Sequence, residues 1–159
     1  MKLKRALLAV FLSIIVFLFI FFIVKNPEII GKNQVCYKNY CFEVELAKTD
    51  AEINLGLMFR EKLDSNKGML FIFDREGEYP FWMKNTLIPL DIIWINEKKE
   101  VVFISENTQP CEKDPCPSIN PGKNAKYVLE VNGGTFQKMG LNIGDTLDFK
   151  LCPCSIVRH

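Results

Sequence analysis

A run of 19 uncharged residues near the N-terminus constrains the fold of this chain more than any other feature. Residues 6–24 read ALLAVFLSIIVFLFIFFIV, with Ser13 as the only polar break. As a helix the run would be about 28 Å long, close to the roughly 30 Å hydrocarbon core of a bilayer. A cleaved signal peptide is the rival interpretation, but its apolar region is typically about 7–15 residues and ends at small residues. The run here continues into KNPEIIGKN, which favours an uncleaved transmembrane signal anchor.

The charges that flank this run predict its orientation. Lys2, Lys4 and Arg5 precede it, whereas only Lys25 follows it closely. Because cytoplasmic flanks are rich in Lys and Arg, we expect residues 1–5 to be a cytoplasmic tip and the remaining chain to lie outside the cytoplasm. The chain would then be a single-pass protein of the cell membrane.

The part of the chain after the anchor divides into a short linker, 25–33, and an extracytoplasmic domain, 34–159. After residue 30 the chain carries 16 basic and 18 acidic side chains, a net charge of −2. Nucleic-acid binding needs clustered Lys and Arg that release counterions from phosphates. We therefore expect no nucleic-acid partner.

The six cysteines all follow the anchor and form three close pairs. The pairs are Cys36 with Cys41, Cys111 with Cys116, and Cys152 with Cys154. An even number of cysteines outside the cytoplasm favours structural disulfides, although their connectivity stays open. A Cys₄ zinc site and a reactive Cys-Pro-Cys pair are the alternatives, and the sequence excludes neither.

Turn signals divide the domain into short elements. Thr49 and Glu52 form a capping box, which predicts a helix over 51–60. A hairpin is predicted over 34–48, and further strands over 69–73, 81–83, 90–96, 101–105, 126–131 and 146–151, with one helical turn at 135–139. The pattern predicts a mainly β (α+β) fold, a compact barrel-like or sandwich domain of about seven short strands with one or two short helices.

Four stretches in order carry a family resemblance. They are GLMFR from Gly56, GMLFIF from Gly68, FWMKNTLIPLDII from Phe81, and YVLEVNGG from Tyr127. Together they resemble the domain of unknown function 192 family over roughly residues 35–151. The resemblance implies a compact, mostly β fold but supplies no established activity.

The motif positions implied by the resemblance are these: Gly56, Met58, Arg60, Gly68, Met69, Trp82, Met83, Asn85, Thr86, Pro89, Asp91, Glu130 and Gly133. One departure is Gly134, because the family more often has Asn-Ala-Gly where this chain has Asn-Gly-Gly. The cysteine pairs are not part of the motif set.

The step Trp82-Met83-Lys84-Asn85-Thr86 has two interpretations. Asn and Thr commonly tie down a turn through their own backbone. Alternatively, the step forms a pocket wall, with an aromatic surface and an amide that both donates and accepts hydrogen bonds. The motif resemblance favours the pocket.

The charged residues within apolar strands offer further hypotheses. Asp91 and Glu130 could divide acid and base roles, as in glycoside hydrolysis. An ion pair between Arg60 and a nearby carboxylate is the more favoured, structural interpretation.

The methionines suggest copper, but the sequence does not favour a metal site. Met58, Met69 and Met83 are soft ligands of the kind that Cu(I) prefers, yet each lies in an apolar stretch. His159 is the only histidine, so neither a copper site nor a His-based triad is favoured. We predict no metal and no cofactor.

The residues together predict an extracytoplasmic domain that binds a small ligand, sugar-like or otherwise polar, or an envelope partner. The predicted site residues are Arg60, Trp82, Met83, Asn85, Thr86, Asp91 and Glu130. The alternatives are a glycan hydrolase that uses Asp91 and Glu130 and a structural envelope accessory protein without a ligand. The sequence does not decide whether the chain is an enzyme, although the absence of an internal histidine favours a binding role.

Overall fold

A computed structural model describes residues 2–25, 31–111 and 114–152 of the chain, which divides into units at 1–32 and 33–159. In the first unit, helix α1 spans Lys2–Lys25 and contains the apolar run, which has neither Gly nor Pro to interrupt it. Side chains of α1 are described for residues 11–22. Within the described part of the chain, no helix combines the length and the apolar character needed to cross a membrane. Most of the predicted linker, residues 26–30, lies outside the described residues.

The second unit is mainly β, as the sequence predicts. Its elements are β1 (Gln34–Tyr37), β2 (Tyr40–Ala47), α2 (Asp50–Leu55), β3 (Lys67–Gly77), β4 (Phe81–Trp82), β5 (Leu90–Ile95), β6 (Val101–Thr108), β7 (Ser118–Ile119), β8 (Ala125–Asn132), α3 (Thr135–Met139) and β9 (Asp148–Lys150).

Seven of these strands form one sheet in the order β6-β5-β8-β3-β2-β1-β9, and β4 pairs with β7 in a small ribbon. Strands β2 and β3 are parallel, which requires a crossover, and the segment containing α2 supplies it. The other pairings are antiparallel. Backbone hydrogen bonds join the start of β6 to the residues before β9, from the Val101 amide to the Asp145 carbonyl and from the Leu147 amide to the Lys99 carbonyl, and Glu100 forms an isolated bridge with Thr146. Among the described residues no strand ladder joins β6 to β9, so the sheet is open. The expectation of a barrel or sandwich is corrected, because neither a continuous closing ladder nor a second large sheet is present among the described residues.

Apolar clusters cover both faces of the sheet. One face buries residues that include Val35, Val44, Leu70, Ile93, Leu129 and Val131. The other buries residues that include Leu57, Met69, Phe71, Ile92, Trp94 and Val128. Both clusters consist only of residues from the second unit, so this unit has the core it needs to fold alone.

Short-range interactions determine where helix α2 begins and ends. The capping box is confirmed, since Thr49 Oγ1 accepts from the Glu52 amide and the Glu52 carboxylate accepts from the Thr49 amide. Helix α2 ends at Leu55 rather than at residue 60, because Gly56 adopts φ 48° and ψ −134°, which is not helical. Strand β3 runs to Gly77, four residues beyond the end of the strand predicted over 69–73.

The cysteine pairing confirms the disulfide prediction for two of the three pairs. Cys36–Cys41 links β1 to β2, and Cys111–Cys116 closes a small loop before β7. These bonds exclude the Cys₄ zinc alternative, because disulfide sulfurs are not thiolate ligands. Cys152 forms no disulfide with the described cysteines, and Cys154 of the Cys-Pro-Cys pair lies outside the described residues.

Candidate functional site

The polar step after Trp82 is a tight turn. The Thr86 amide donates to the Met83 carbonyl at 3.2 Å, and Asn85 between them has φ 56°. Asn tolerates this left-handed conformation better than most residues. The Asn85 carbonyl accepts from the Phe59 amide at 2.8 Å, so the turn is tied to the segment that follows α2.

A cavity of about 350 Å³ lies beside this turn. It is bounded by the end of α2, by β3, and by the β4–β7 ribbon. Its aromatic walls are Phe71, Phe73, Tyr79, Phe81 and Trp82, and its remaining lining includes Ile53, Leu55, Gly56, Leu57, Met58, Thr86, Ser118 and Glu130. The volume is at the small end of the range for ligand pockets, roughly 300–1,000 Å³.

Buried Trp94 holds the aromatic wall in place. Its Nε1 donates to the Tyr79 carbonyl at 2.8 Å, and its ring meets the Phe81 ring edge-on at 5.6 Å. Phe81 also contacts Phe71 edge-on, while Phe73 and Tyr79 stack with an interplanar angle of 6°. Contacts with the buried core therefore position the aromatic wall.

Glu130 is the buried acidic group of the cavity. Its register on β8 directly opposite Met69 and Ile92 turns its side chain to the face that carries the cavity. Only 5% of the residue is exposed, and its Oε2 accepts no hydrogen bond from the described residues. Burial raises the pKa of Glu130 to about 8, although the nearby Arg60 opposes the rise. A carboxyl group with this pKa is largely protonated at neutral pH and acts as a donor or an acceptor according to what it meets.

Arg60 forms the predicted ion pair, but with a carboxylate that the sequence did not single out. Its guanidinium binds Glu45 of β2 through two hydrogen bonds, of 2.5 and 2.7 Å. Glu45, Met69 and Glu130 lie side by side across β2, β3 and β8, which brings Arg60 near Glu130. The pair raises the pKa of Arg60 and lowers that of Glu45, so both stay charged and the Arg60 guanidinium already has a carboxylate partner.

Asp91 lies on the opposite face of the sheet and has a structural role. It is directly opposite Val131, whereas its neighbour Ile92 is opposite Glu130. Asp91 is fully buried and accepts from the amides of Asn107, Gly134 and Phe136 at 2.6, 3.0 and 2.6 Å. It thereby fixes the start of α3, whose N-cap, Gly134, has no side chain to do so.

The paired-carboxylate mechanism therefore has no geometric basis in this fold. Asp91 and Glu130 project from opposite faces of the sheet, so they do not face one bond of one substrate. Among the described residues no group of three His, Cys, Asp or Glu side chains is arranged to hold a metal ion.

The cavity brings together three of the seven predicted site residues: Trp82, Thr86 and Glu130. Trp82 is half exposed at the cavity, and Thr86 is buried. The other four residues do not line it. Met83 is buried in the core and borders a separate recess under the Cys111–Cys116 loop, and Asn85 contacts Met58 Sδ through its amide.

Sequence reasoning missed the aromatic residues Phe71, Phe73 and Tyr79. The first two lie in the apolar strand predicted over 69–73, and Tyr79 lies between the predicted elements. A signal for Phe71 and Phe73 exists in the sequence. Met69, Phe71 and Phe73 alternate with a period of two, which puts all three side chains on one face of β3. Tyr79 has no comparable signal, because its stacking on Phe73 and its hydrogen bond from Trp94 form only in the folded domain.

Comparisons with known proteins agree with this fold. A solved protein of unknown function from Novosphingobium aromaticivorans is 34% identical, with a TM-score of 0.66, over 74% of this chain and 83% of its own. A proposed transcription regulator from Sinorhizobium meliloti is 31% identical, with a TM-score of 0.67, over 74% of this chain and 92% of its own. A comparison with curated proteins finds no match. The family model DUF192, described as "Uncharacterized ACR, COG1430", matches residues 33–149, and the chain therefore belongs to the domain of unknown function 192 family.

Proposed function

We propose that the domain binds a small ligand in the cavity, with Glu130 as its polar anchor. The observation that carries this proposal is the buried carboxyl oxygen Oε2, which has no hydrogen-bond partner among the described residues. A buried polar atom without a partner costs about 1–3 kcal/mol, or more for a charged group. A ligand group that satisfies this oxygen would recover that free energy.

The chemistry of the lining favours a compact and largely apolar ligand. Aromatic and aliphatic side chains form most of the surface, and Thr86, Ser118 and Asn54 supply the smaller polar groups. Apolar walls with a few convergent polar groups are the usual composition of small-molecule sites. We infer that the ligand body packs against the aromatic wall and that one polar group meets Glu130.

A fragment screen on residues 31–159 tests this function. A ligand present at 100 times its dissociation constant adds about 2.7 kcal/mol to the free energy of unfolding, which a thermal shift detects. Amide chemical-shift changes should cluster at Gly56, Phe71 and Trp82. Fragments that bind only at other surfaces, or a screen without binders, would contradict the proposal.

An envelope protein is the second candidate partner. Leu55, Phe59 and Trp82 are large apolar residues that are each about half exposed or more, at 56%, 64% and 49%. Leu55 and Trp82 border the cavity, and Phe59 is tied to the adjacent turn. Photo-crosslinking from position 59 in intact cells should trap such a partner, and crosslinks to lipid alone would argue against it.

We also propose that residues 6–24 anchor the domain to the membrane and that the domain lies outside the cytoplasm. Helix α1 includes the whole apolar run, and the two disulfides suit an oxidising compartment. Protease added to intact cells should degrade the domain. A mature N-terminus beyond residue 24 would contradict the anchor.

A further inference from the structure

The charge balance of the cavity narrows the class of ligand. Among the described residues that line the cavity, Glu130 is the only acidic one, and none is Lys, Arg or His. Arg60, the nearby cation, is held by Glu45 through both of its terminal nitrogens. A counter-charge for Glu130 inside the cavity must therefore come from the ligand.

The geometry points to a protonated amine with at least one N–H on a compact apolar body, which we propose as the ligand class. This inference rests on the small-ligand function proposed above and names the chemistry of that ligand. The ammonium N–H donates to Glu130 Oε2, and the apolar body fills the space between Phe71, Tyr79 and Trp82.

The other ligand classes fit the cavity less well. An anionic group would meet a carboxyl and the negative faces of aromatic rings, and none of the described lining residues is a cation that could receive it. A cation is attracted both by the carboxylate and by aromatic faces. A quaternary ammonium carries the charge but has no N–H, so Oε2 would stay without a donor. The cavity is also too small for an extended polymer segment, at about 350 Å³.

Ionisation of Glu130 makes amine binding depend on pH in a defined direction. The strands that flank Glu130 place Met69 and Ile92 opposite it, and neither is charged. The segment after α2 brings Arg60, β2 brings Glu45, and the aromatic wall brings the Tyr79 hydroxyl, which donates to the Arg75 carbonyl. With a pKa of about 8, Glu130 must release a proton to bind an ammonium below that pH.

Amine affinity should therefore rise with pH and then level off. The expected gain is about tenfold between pH 6 and 7 and only about twofold between pH 8 and 9. An alkylamine stays charged over this range, because its pKa is near the value of about 10.4 for Lys. A neutral ligand that accepts a hydrogen bond from protonated Glu130 would show the opposite trend.

Isothermal titration calorimetry on residues 31–159 tests the inference with four probes that share a six-carbon chain. They are hexylamine, hexan-1-ol, hexanoate and hexyltrimethylammonium. Hexylamine should bind at least tenfold more tightly than each of the others at pH 8. Titrations at pH 7 in two buffers of different ionisation enthalpy should reveal the release of close to one proton for each hexylamine bound.

Three variants test whether Glu130 is responsible for amine binding and for its pH dependence. At pH 8, Glu130→Gln should weaken hexylamine binding at least tenfold more than it weakens hexan-1-ol binding, and it should remove the pH dependence of hexylamine binding. Glu106→Gln, at an exposed position on β6, should change neither affinity. Arg60→Gln does not alter the lining and provides a second measurement if the Glu130 variant fails to fold. It removes the cation that lowers the pKa of Glu130, so amine affinity should level off at a higher pH in this variant than in the wild type.

The outcomes separate this inference from the function on which it rests. Hexan-1-ol or hexanoate binding as tightly as hexylamine would overturn the amine class and leave small-ligand binding intact. The same conclusion follows if the fragment screen yields a cavity ligand but none of the four probes binds. If neither the screen nor the probes give a cavity ligand, both proposals fail.

Discussion

Glu130 on β8 faces Gly56 at the end of α2, and its Oε2 lies 4.0 Å from the point that a Cβ at residue 56 would occupy. The same point lies 3.3 Å from the Phe71 ring. Glycine thus leaves the space between the helix end and the carboxyl group open. It also allows the backbone to leave the helix with φ 48° and ψ −134°, which a residue with a Cβ adopts only with strain.

Gly56→Ala should destabilise the domain and obstruct the cavity. The backbone conformation alone costs about 1–3 kcal/mol, and the close contact with Phe71 adds to it. Chemical denaturation of residues 31–159 measures the loss. Gly140→Ala is the matched control, because Gly140 also has a positive φ, of 59°, but has open space around it. Equal losses in the two variants would show that the contact with Phe71 is unimportant.

Glu130→Gln should change how stability depends on pH. The folded-state pKa of Glu130 is about 8, above the ordinary value of 4.5, so the folded state keeps a proton that the unfolded state loses between these values. The wild-type free energy of unfolding should therefore fall as pH rises through this window, by up to about 1.4 kcal/mol per pH unit relative to the variant.

Denaturation curves at pH 4, 6, 8 and 9 check this effect. The free energy of unfolding of the variant, relative to that of the wild type, should increase with pH up to about pH 8. Above pH 8 the difference between the two free energies should stay constant. Glu106→Gln should follow the wild-type curve, because that side chain is exposed. A constant difference between Glu130→Gln and the wild type at all four pH values would contradict a buried, protonated Glu130.

Asp91→Asn should destabilise the fold without touching the cavity. The carboxylate accepts three backbone amides, and an amide side chain would turn a donor towards at least one of them. A hydrogen bond to a charged group contributes about 1.5–3 kcal/mol, so we expect a loss of about 3 kcal/mol. Hydrogen exchange should also show faster opening of α3.

Asp148→Asn on β9 is the control for Asp91, because Asp148 is exposed. It should change the free energy of unfolding by less than about 0.5 kcal/mol. Ligand affinity in the Asp91 variant should match the wild type under conditions where it is folded. A large loss of affinity in folded Asp91→Asn would place Asp91 in the binding site after all.

The two disulfides should be present in the protein as isolated. Thiol titration of denatured, unreduced residues 31–159 should count no more than two free thiols, since four cysteines are paired. Cys36 and Cys41 enclose a loop of about six residues, so their bond should contribute about 2 kcal/mol by loop-closure entropy. A count of six thiols would refute the pairing.

Local patterns were sufficient for much of the fold. The Thr49–Glu52 capping box is a contact over three residues, and its outcome depends little on the rest of the chain. The turn at Asn85 and the hairpin closed by Cys36–Cys41 are likewise short-range features. The four motifs were enough to indicate the family, which the match over residues 33–149 confirms.

The candidate site depended on pairings that no local pattern encodes. Asp91 and Glu130 both sit in apolar strands, and only the register of β5 against β8 decides that they point to opposite faces. Arg60 binds Glu45 across the crossover between two parallel strands. Strands β2 and β3 pair Glu45 with Met69, and the segment after α2, which joins these strands, carries Arg60. Such contacts arise from packing over long sequence separations.

The sequence by itself determined the apolar N-terminal run and the ends of several elements, because these depend on neighbours within a few residues, but it left the pairing of the cysteines open. Only the tertiary structure decided what surrounds Glu130. Its raised pKa follows from the removal of water by Phe71, Gly56 and the rest of the cavity lining. Desolvation is a property of the packed environment, so the same Glu in an exposed strand would be an ordinary surface charge.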